Sequence, residues 1–347
     1  MSKLRCAVIG LGMGRGHVAG YQSHPGAEVT AIADPDAKRL QSVGDQYGIK
    51  NRYASGEEML RKEKLDVVSV ATPNKFHKPL TLAALKAGCH VLCEKPMAMS
   101  AAEARAMLAA AEKGGRRLMI NFSFRFKEVA QALKSRVDGG VLGDVYFART
   151  IWQRRRGIPG FGGWFGQKAL SGGGPLIDLG VHRIDLALWL MGYPQPVWVM
   201  GGTYDHLASA LARKQGVKFD VEDFAVGLVK FDNGATLEVE ASWAGHIKEH
   251  ELMETRLLGI RGGLVYRNVG EGYEFEAEIY TEHEGHHFDA RLHPGGTAVQ
   301  GAMYHFADCI LNDKPHMATG REGLIVMQLL DALYKSASTG RPVSIRA

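Results

Sequence analysis

Glu94-Lys95-Pro96 follows the apolar run His90-Val91-Leu92-Cys93 directly. A short apolar run between turn signals reads as a strand buried on both faces, and an open parallel sheet presents its chemistry beyond the carboxyl ends of such strands. Lys95 is therefore the first candidate for a working residue. A second set, Asp178, His182 and Asp185, is spaced i, i+4 and i+7, which stacks three polar side chains on one face of a predicted helix near 175–191. Taken alone, that set is also an ordinary polar helix face, with Asp178 in the first turns where the helix dipole favours an acid.

A glycine turn suggests what Lys95 would work on. Gly10-Leu11-Gly12-Met13-Gly14-Arg15-Gly16 follows an apolar strand near 4–9 and precedes a helical segment reaching about Gln22. Such a turn lets backbone amides and a helix N-terminus meet a pyrophosphate, although a plain tight turn looks the same. Position 15 holds arginine where a G-x-G-x-x-G frame from Gly10 needs glycine, so the loop is one residue short of the usual form. A second strand ends in Asp34, 24 residues after Gly10, where an acid would bond a ribose 2′-hydroxyl. Asp34 would repel a 2′-phosphate, which favours NAD over NADP, with Lys38 and Arg39 nearby moderating the preference.

Stepping along the chain, strands near 4–9, 28–33, 66–71, 89–93 and 117–121 alternate with helices near 36–47, 56–62, 77–87 and 101–114, the pattern of a parallel sheet covered on both faces. The expectation is an α/β protein with a Rossmann dinucleotide-binding domain over 1–122. The remainder, 123–347, is expected to be an α+β substrate domain with a large, mostly antiparallel sheet. Its strands are placed near 144–153, 196–204, 219–231, 235–243, 252–259, 263–267 and 273–281, with closing helices near 298–312 and 321–338 and an end strand at 343–345. Asp232-Asn233-Gly234 is a strong hairpin signal. With no long linker, the halves are expected to hold the site between them.

Composition narrows the function classes. At 347 residues, 46% apolar and 23% charged, the chain suits two globular domains. A net charge of +5 without clustered basic stripes argues against nucleic acid. Cys6, Cys89, Cys93 and Cys309 match no disulfide framework or C-x-x-C site and read as reduced residues of a cytoplasmic protein. The first strand begins too early to leave room for a signal peptide, and no apolar run approaches a membrane span. His283, His286, His287 and His293, with Asp289, have no metal-site spacing, so no metal is expected.

The run from Trp152 to Phe165 carries Arg154, Arg155, Arg156, Phe161 and Trp164 in a Gly-rich loop. Aromatic faces stack on sugar C–H surfaces and guanidinium forks hold hydroxyls, so Arg155 and Trp164 are candidate substrate contacts beside the bland alternative of a solvated charged loop. Asn121 and Arg125, where the first domain ends, would line the cleft or simply end a strand and start a helix.

These residues together resemble the glucose-fructose oxidoreductase, inositol dehydrogenase and MocA-like (Gfo/Idh/MocA) oxidoreductases over nearly the whole chain. The likeness is carried by Glu94-Lys95-Pro96, by Ala71-Thr72-Pro73-Asn74 with His77, and by the block Gly172-Gly173-Gly174-Pro175-Leu176-Ile177-Asp178-Leu179-Gly180-Val181-His182-Arg183-Ile184-Asp185. It implies an NAD-dependent dehydrogenase that moves a hydride between nicotinamide and a secondary alcohol of a sugar, cyclic polyol or sugar derivative. Lys95, Asp178 and His182 would be catalytic, His182 as acid/base, Asp178 as its partner or a hydroxyl acceptor, and Lys95 polarising the alkoxide or sharing the base role. Cofactor contacts would come from Gly10, Leu11, Gly12, Met13, Gly14, Asp34, Ala71, Thr72, Pro73, Asn74, His77, Glu94 and Lys95. Pro96 could follow a cis peptide. The resemblance also allows a glycoside hydrolase that keeps its NAD and works by transient C3 oxidation and elimination, or a non-catalytic sugar sensor, and it implies a homodimer or homotetramer formed through the second-domain sheet.

Overall fold

The computed structural model describes residues 3–292 and 299–345. The chain divides into two compact units, Met1–Ser123 with Gln300–Met327, and Phe124–Val299 with Gln328–Ala347.

In the first unit the elements run β1 (Leu4–Ile9), α1 (Gly14–Gln22), β2 (Ala27–Ala33), α2 (Ala37–Tyr47), β3 (Asn51–Tyr53), α3 (Gly56–Lys62), β4 (Val67–Val70), α4 (His77–Lys86), β5 (His90–Cys93), α5 (Ala101–Lys113) and β6 (Leu118–Ile120). The six strands form one parallel sheet in the order β3-β2-β1-β4-β5-β6. β4 is buried along its whole length and β5 is buried after His90, because helices cover both faces. Asp36, Ser55 and Ser100 accept the first orphan amides of α2, α3 and α5, which sets where those helices begin. The strand order reverses between β1 and β4, so the loops after these two strands flank the crevice where doubly wound sheets bind ligands. Those loops begin at Gly10 and Ala71.

The second unit contains α6 (Glu128–Asp138), β7 (Val145–Arg154), α7 (Lys168–Ser171), α8 (Val181–Leu190), β8 (Pro196–Tyr204), α9 (His206–Gln215), β9 (Phe224–Phe231), β10 (Thr236–Ser242), β11 (Glu251–Gly259), β12 (Gly262–Asn268), β13 (Phe275–His283) and β14 (His286–Leu292). The chain ends with α10 (Ala302–Leu311), α11 (Gly320–Thr339) and β15 (Val343–Ser344). Nine strands form a mixed sheet in the order β14-β13-β12-β11-β7-β10-β9-β8-β15, antiparallel except for the β7–β10 pair. The predicted hairpin at Asp232-Asn233-Gly234 joins β9 to β10, with Gly234 at φ 84°. The architecture is the expected one, a Rossmann sheet followed by an α+β sheet.

The structure differs from the sequence expectation in three respects. Gln300–Met327, assigned above to the second domain, belongs to the first unit: Met119 bridges Thr319, Ile120 N–H donates to Ala318 O at 2.8 Å, and Arg117 donates to Cys309 O at 2.7 Å. Local periodicity carries no record of such a long-range return. The helix expected over 175–191 begins as a π-helical stretch, Leu176–Gly180, whose wider turn is closed by Val181 N–H on Leu176 O. Asp178 therefore lies on a different helical geometry from His182 and Asp185. Short β3, α9 and the hairpin strand β14 were not expected at all.

Every residue of α8 is buried, which leaves His182, Arg183 and Asp185 to find partners inside the protein. Among the described residues no helix is long and apolar enough to cross a membrane, and no group of histidine, cysteine or acid could hold a metal ion. His283, His286 and His287 lie on the exposed β13–β14 hairpin, and His293 is outside the described residues.

Acid should loosen the first unit through His90. Its Nδ1 accepts Arg117 N–H at 2.9 Å, and burial with Arg116, Arg117 and His316 nearby lowers its pKa to about 4. The unfolded chain takes up that proton near pH ~6.5, so the contribution is complete above ~6.5 and is lost as pH falls toward 4. Burial depresses His305 and His316 in the same direction. Thermal melts of wild type and His90→Asn should diverge across this window, the variant losing less stability by on the order of 1 kcal/mol once solvent screening of a half-buried group is allowed for. Parallel curves would remove His90 from the acid response.

Candidate active site

In the first unit the loop after β5 brings three polar side chains into contact. Glu94, buried, accepts His17 Nε2–H at 2.8 Å and Asn121 Nδ2–H at 2.5 Å on the same oxygen, while its other oxygen accepts Lys95 N–H at 3.2 Å. Burial alone would raise the Glu94 pKa, yet it lies below the usual carboxylate range because His17, Asn121 and the Lys95 charge favour the anion. The Lys95-Pro96 peptide is cis, the option the sequence left open, and Lys95 itself is half-buried.

His77 departs from expectation. Its two ring nitrogens face Pro96 O at 2.7 Å and Thr72 O at 2.8 Å, and the ring is fully buried, so it braces the Thr72 and Pro96 loops against each other instead of reaching a cofactor. Burial lowers its pKa, and the neutral ring donates to one of the two carbonyls.

Asp34 sits at the end of β2 with 2% exposure. Its carboxylate accepts Leu11 N–H at 2.7 Å, Asp36 N–H at 2.8 Å and the Arg39 guanidinium at 3.2 Å. The Leu11 amide is thereby committed to Asp34. Gly10 has φ 85°, and a Cβ there would lie 2.5 Å from Ala71 O; a Cβ on Gly14 would meet Val8 at 2.7 Å. Gly12 and Gly16 face open space, and Met13 is 73% exposed. The loop is thus tight against the sheet on one side and bare on the other.

In the second unit the Gly172–Gly174 turn is tied down by Glu222, which accepts Gly174 N–H at 2.9 Å, Leu176 N–H at 3.1 Å and the Tyr334 hydroxyl at 2.8 Å. Asp178 follows, half-buried, and accepts the Trp243 indole N–H at 3.0 Å. Trp243 meets the edge of Phe165, which stacks on Trp164 at 3.9 Å, so the aromatic part of the predicted loop does approach Asp178. His182, 8% exposed, lies against Phe124 at 5.1 Å and Trp152 at 5.6 Å between ring centroids.

Two other sequence candidates are placed elsewhere. Arg125, expected at a substrate cleft, is fully buried and spends its guanidinium on Asp185 at 2.5 and 2.9 Å and on the Tyr193 hydroxyl. Arg155 is exposed and turned to the 246–250 loop, where its guanidinium donates to Lys248 O. The arginine beside Trp152 is Arg154, which shares Glu251 with the Trp152 indole N–H and Tyr273. Strand alternation carries this signal: Thr150, Trp152 and Arg154 are i, i+2, i+4 on the face that α8 covers, whereas Arg155 lies beyond the strand. His17, Phe124, Trp243 and Glu222 were also missed, since only long-range contact reveals them. A hollow of about 360 Å³ on the opposite sheet face, lined among others by Gln153, Asp223, Glu240 and His246, includes none of these residues.

Comparison with known proteins decides the family. Residues 4–122 match the oxidoreductase family with an NAD-binding Rossmann fold, and residues 130–265 match the GFO/IDH/MocA C-terminal domain. A D-glucoside 3-dehydrogenase of Escherichia coli (strain K12) is 35% identical over 99% of this chain and 98% of its own. The chain belongs to the Gfo/Idh/MocA oxidoreductase family. Another relative, the scyllo-inositol 2-dehydrogenase (NAD(+)) of Bacillus subtilis (strain 168), is 28% identical over 99% of this chain and 96% of its own. The crystal structure of an aldose-aldose oxidoreductase from Caulobacter crescentus complexed with glycerol superposes with a TM-score of 0.83, at 28% identity and with 99% and 100% of the two chains covered.

As a Gfo/Idh/MocA oxidoreductase the chain is an enzyme whose cofactor is NAD, and the first unit suits it. Bare Gly12 and Gly16 leave the start of α1 open to a pyrophosphate. Buried Thr72 Oγ1, His17 Nδ1 and Asn121 Oδ1 have no hydrogen-bond partner among the described residues, which leaves polar atoms on this unit for a polar ligand.

A methyl group at Gly174 tests how the second cluster is held. Its Cβ would lie 2.0 Å from Glu222 O, and backbone must shift to admit it. Gly174→Ala should cost about 2–3 kcal/mol in urea unfolding; an unchanged midpoint would show that the turn is not what positions Asp178.

Proposed function

We propose that this enzyme oxidises a secondary hydroxyl of a glucoside, at C3, with NAD as the hydride acceptor. The observation that carries the reaction class is His182, a nearly buried imidazole resting on two aromatic rings four residues after Asp178. The full-length likeness to a D-glucoside 3-dehydrogenase supports the substrate.

His182 takes the hydroxyl proton, since an imidazole is the side chain suited both to accept a proton and to return it near neutrality. Asp178, fixed by the Trp243 indole, accepts a neighbouring sugar hydroxyl and orients the ring. Lys95 would polarise the carbinol oxygen, whose negative charge is larger in the transition state than in the bound alcohol. Bound NAD supplies the hydride acceptor. Glu94, through His17, Asn121 and the Lys95 amide, holds the lysine's backbone in place. Asp34, at the end of β2, would hold the adenosine ribose hydroxyls. Half-buried Trp164 offers a flat face for sugar C–H surfaces.

Alkyl and aryl glucosides with NAD should give one NADH per ketone formed. His182→Asn and Lys95→Met should each lower kcat by about 10²–10⁴-fold with glucoside KM little changed, and the double variant should lose far less than the product of the two because both act on one transition state. Full multiplicativity would show that the two residues serve different steps, and NADH silence across glucosides, free sugars and cyclic polyols would end the proposal.

A further inference from the structure

Arg183 presents an anomaly in the second unit. It is fully buried on α8, and none of its guanidinium nitrogens has a hydrogen-bond partner among the described residues. Instead, the guanidinium carbon lies 4.6 Å from the Phe124 ring centroid, 5.3 Å from that of Trp152 and 5.5 Å from that of Phe275. Ring faces attract a cation, most of all where water is excluded. They do not replace an acid, and a buried cation without one lowers stability. A methionine would fill the same slot at no such cost, so packing does not account for an arginine here.

Two of those three rings, Phe124 and Trp152, are the rings on which His182 rests. The charged groups around both residues are otherwise engaged. Asp185 is held by Arg125 and Tyr193, Asp178 by Trp243, and Glu251 by Arg154, Trp152 and Tyr273. Tyr266, on β12, is neutral and buried. Arg183 is the cation of this set that has no acid of its own. Burial lowers its pKa to about 10, which leaves it charged at neutral pH.

We propose that Arg183 is a positioning residue for proton transfer: it clamps the two rings behind His182, and its fixed charge keeps that imidazole in the neutral, proton-accepting form. A positive charge within about 10 Å, behind low-dielectric rings, disfavours a second one on His182. The inference rests on the reading of His182 as the base.

The test is to titrate the His182 imidazole by NMR in ¹⁵N-histidine-labelled enzyme, assigning its signals by their loss in His182→Asn, in wild type, Arg183→Met and Arg183→Gln. In either neutral variant the imidazole pKa should rise by about one pH unit, and the acid limb of the kcat/KM profile should move up with it. Glucoside KM should stay within about twofold while kcat falls, as expected of a residue that touches neither substrate nor cofactor. A folded neutral variant with the wild-type imidazole titration overturns the proposal, and so does failure of both variants to fold, which would make Arg183 a core residue only. If His182→Asn keeps its kcat, the reading of His182 as base fails by itself, while the effect of Arg183 on the imidazole is still read directly by NMR.

Discussion

The chemistry of the second unit depends on one ion pair that water cannot replace. Arg125 and Asp185 are each 1% exposed, bonded at 2.5 and 2.9 Å, and Tyr193 donates to Asp185 at 2.8 Å. Removing either partner of such a pair strands a buried charge at a cost of about 3–5 kcal/mol. The pair also sets geometry. Asp185 is three residues beyond His182 on α8, and Arg125 directly follows Phe124, whose ring packs on His182. One contact therefore fixes the rotation of the helix and the position of the ring behind the imidazole.

The first unit solves a different problem, that of giving buried acids enough hydrogen-bond donors. Glu94 and Asp34 are both nearly buried, and each is surrounded by donors: a histidine, an amide side chain and a backbone N–H for Glu94, two backbone N–H groups and a guanidinium for Asp34. His17 belongs to α1, which starts from the glycine loop, and Glu94 belongs to the turn that carries Lys95. Their hydrogen bond ties the two loops together at the level of side chains, while Gly10 and Ala71 tie the loops after β1 and β4 by backbone proximity.

Much of this was legible in the residues. Strand and helix alternation located the Rossmann sheet, the Asn-Gly turn located a hairpin, and a helix was placed near 175–191. What local pattern could not supply was burial by distant chain. His77 and Arg125 look like site residues because they are polar and lie beside motifs, yet full burial turns both into braces. Arg154 and Arg155 are indistinguishable by type, and only the alternation of β7 selects the one that lies beside Trp152. The π-helical turn at Leu176–Gly180 has no periodic signature, so the even spacing of Asp178, His182 and Asp185 overstated their shared face. Gln300–Met327 illustrates the same limit at the level of a domain: its helix was recognised, and its allegiance was not.

The proposed reaction is direct hydride transfer from a glucoside carbon to NAD, with the proton leaving to protein. A methyl glucoside deuterated at C3, turned over under single-turnover conditions, measures this most directly. The account predicts one deuterium in each NADH formed, a slowed transfer step and a 3-keto glucoside as the product. Deuterium found in water or retained in the sugar, or release of methanol without NADH, would contradict it.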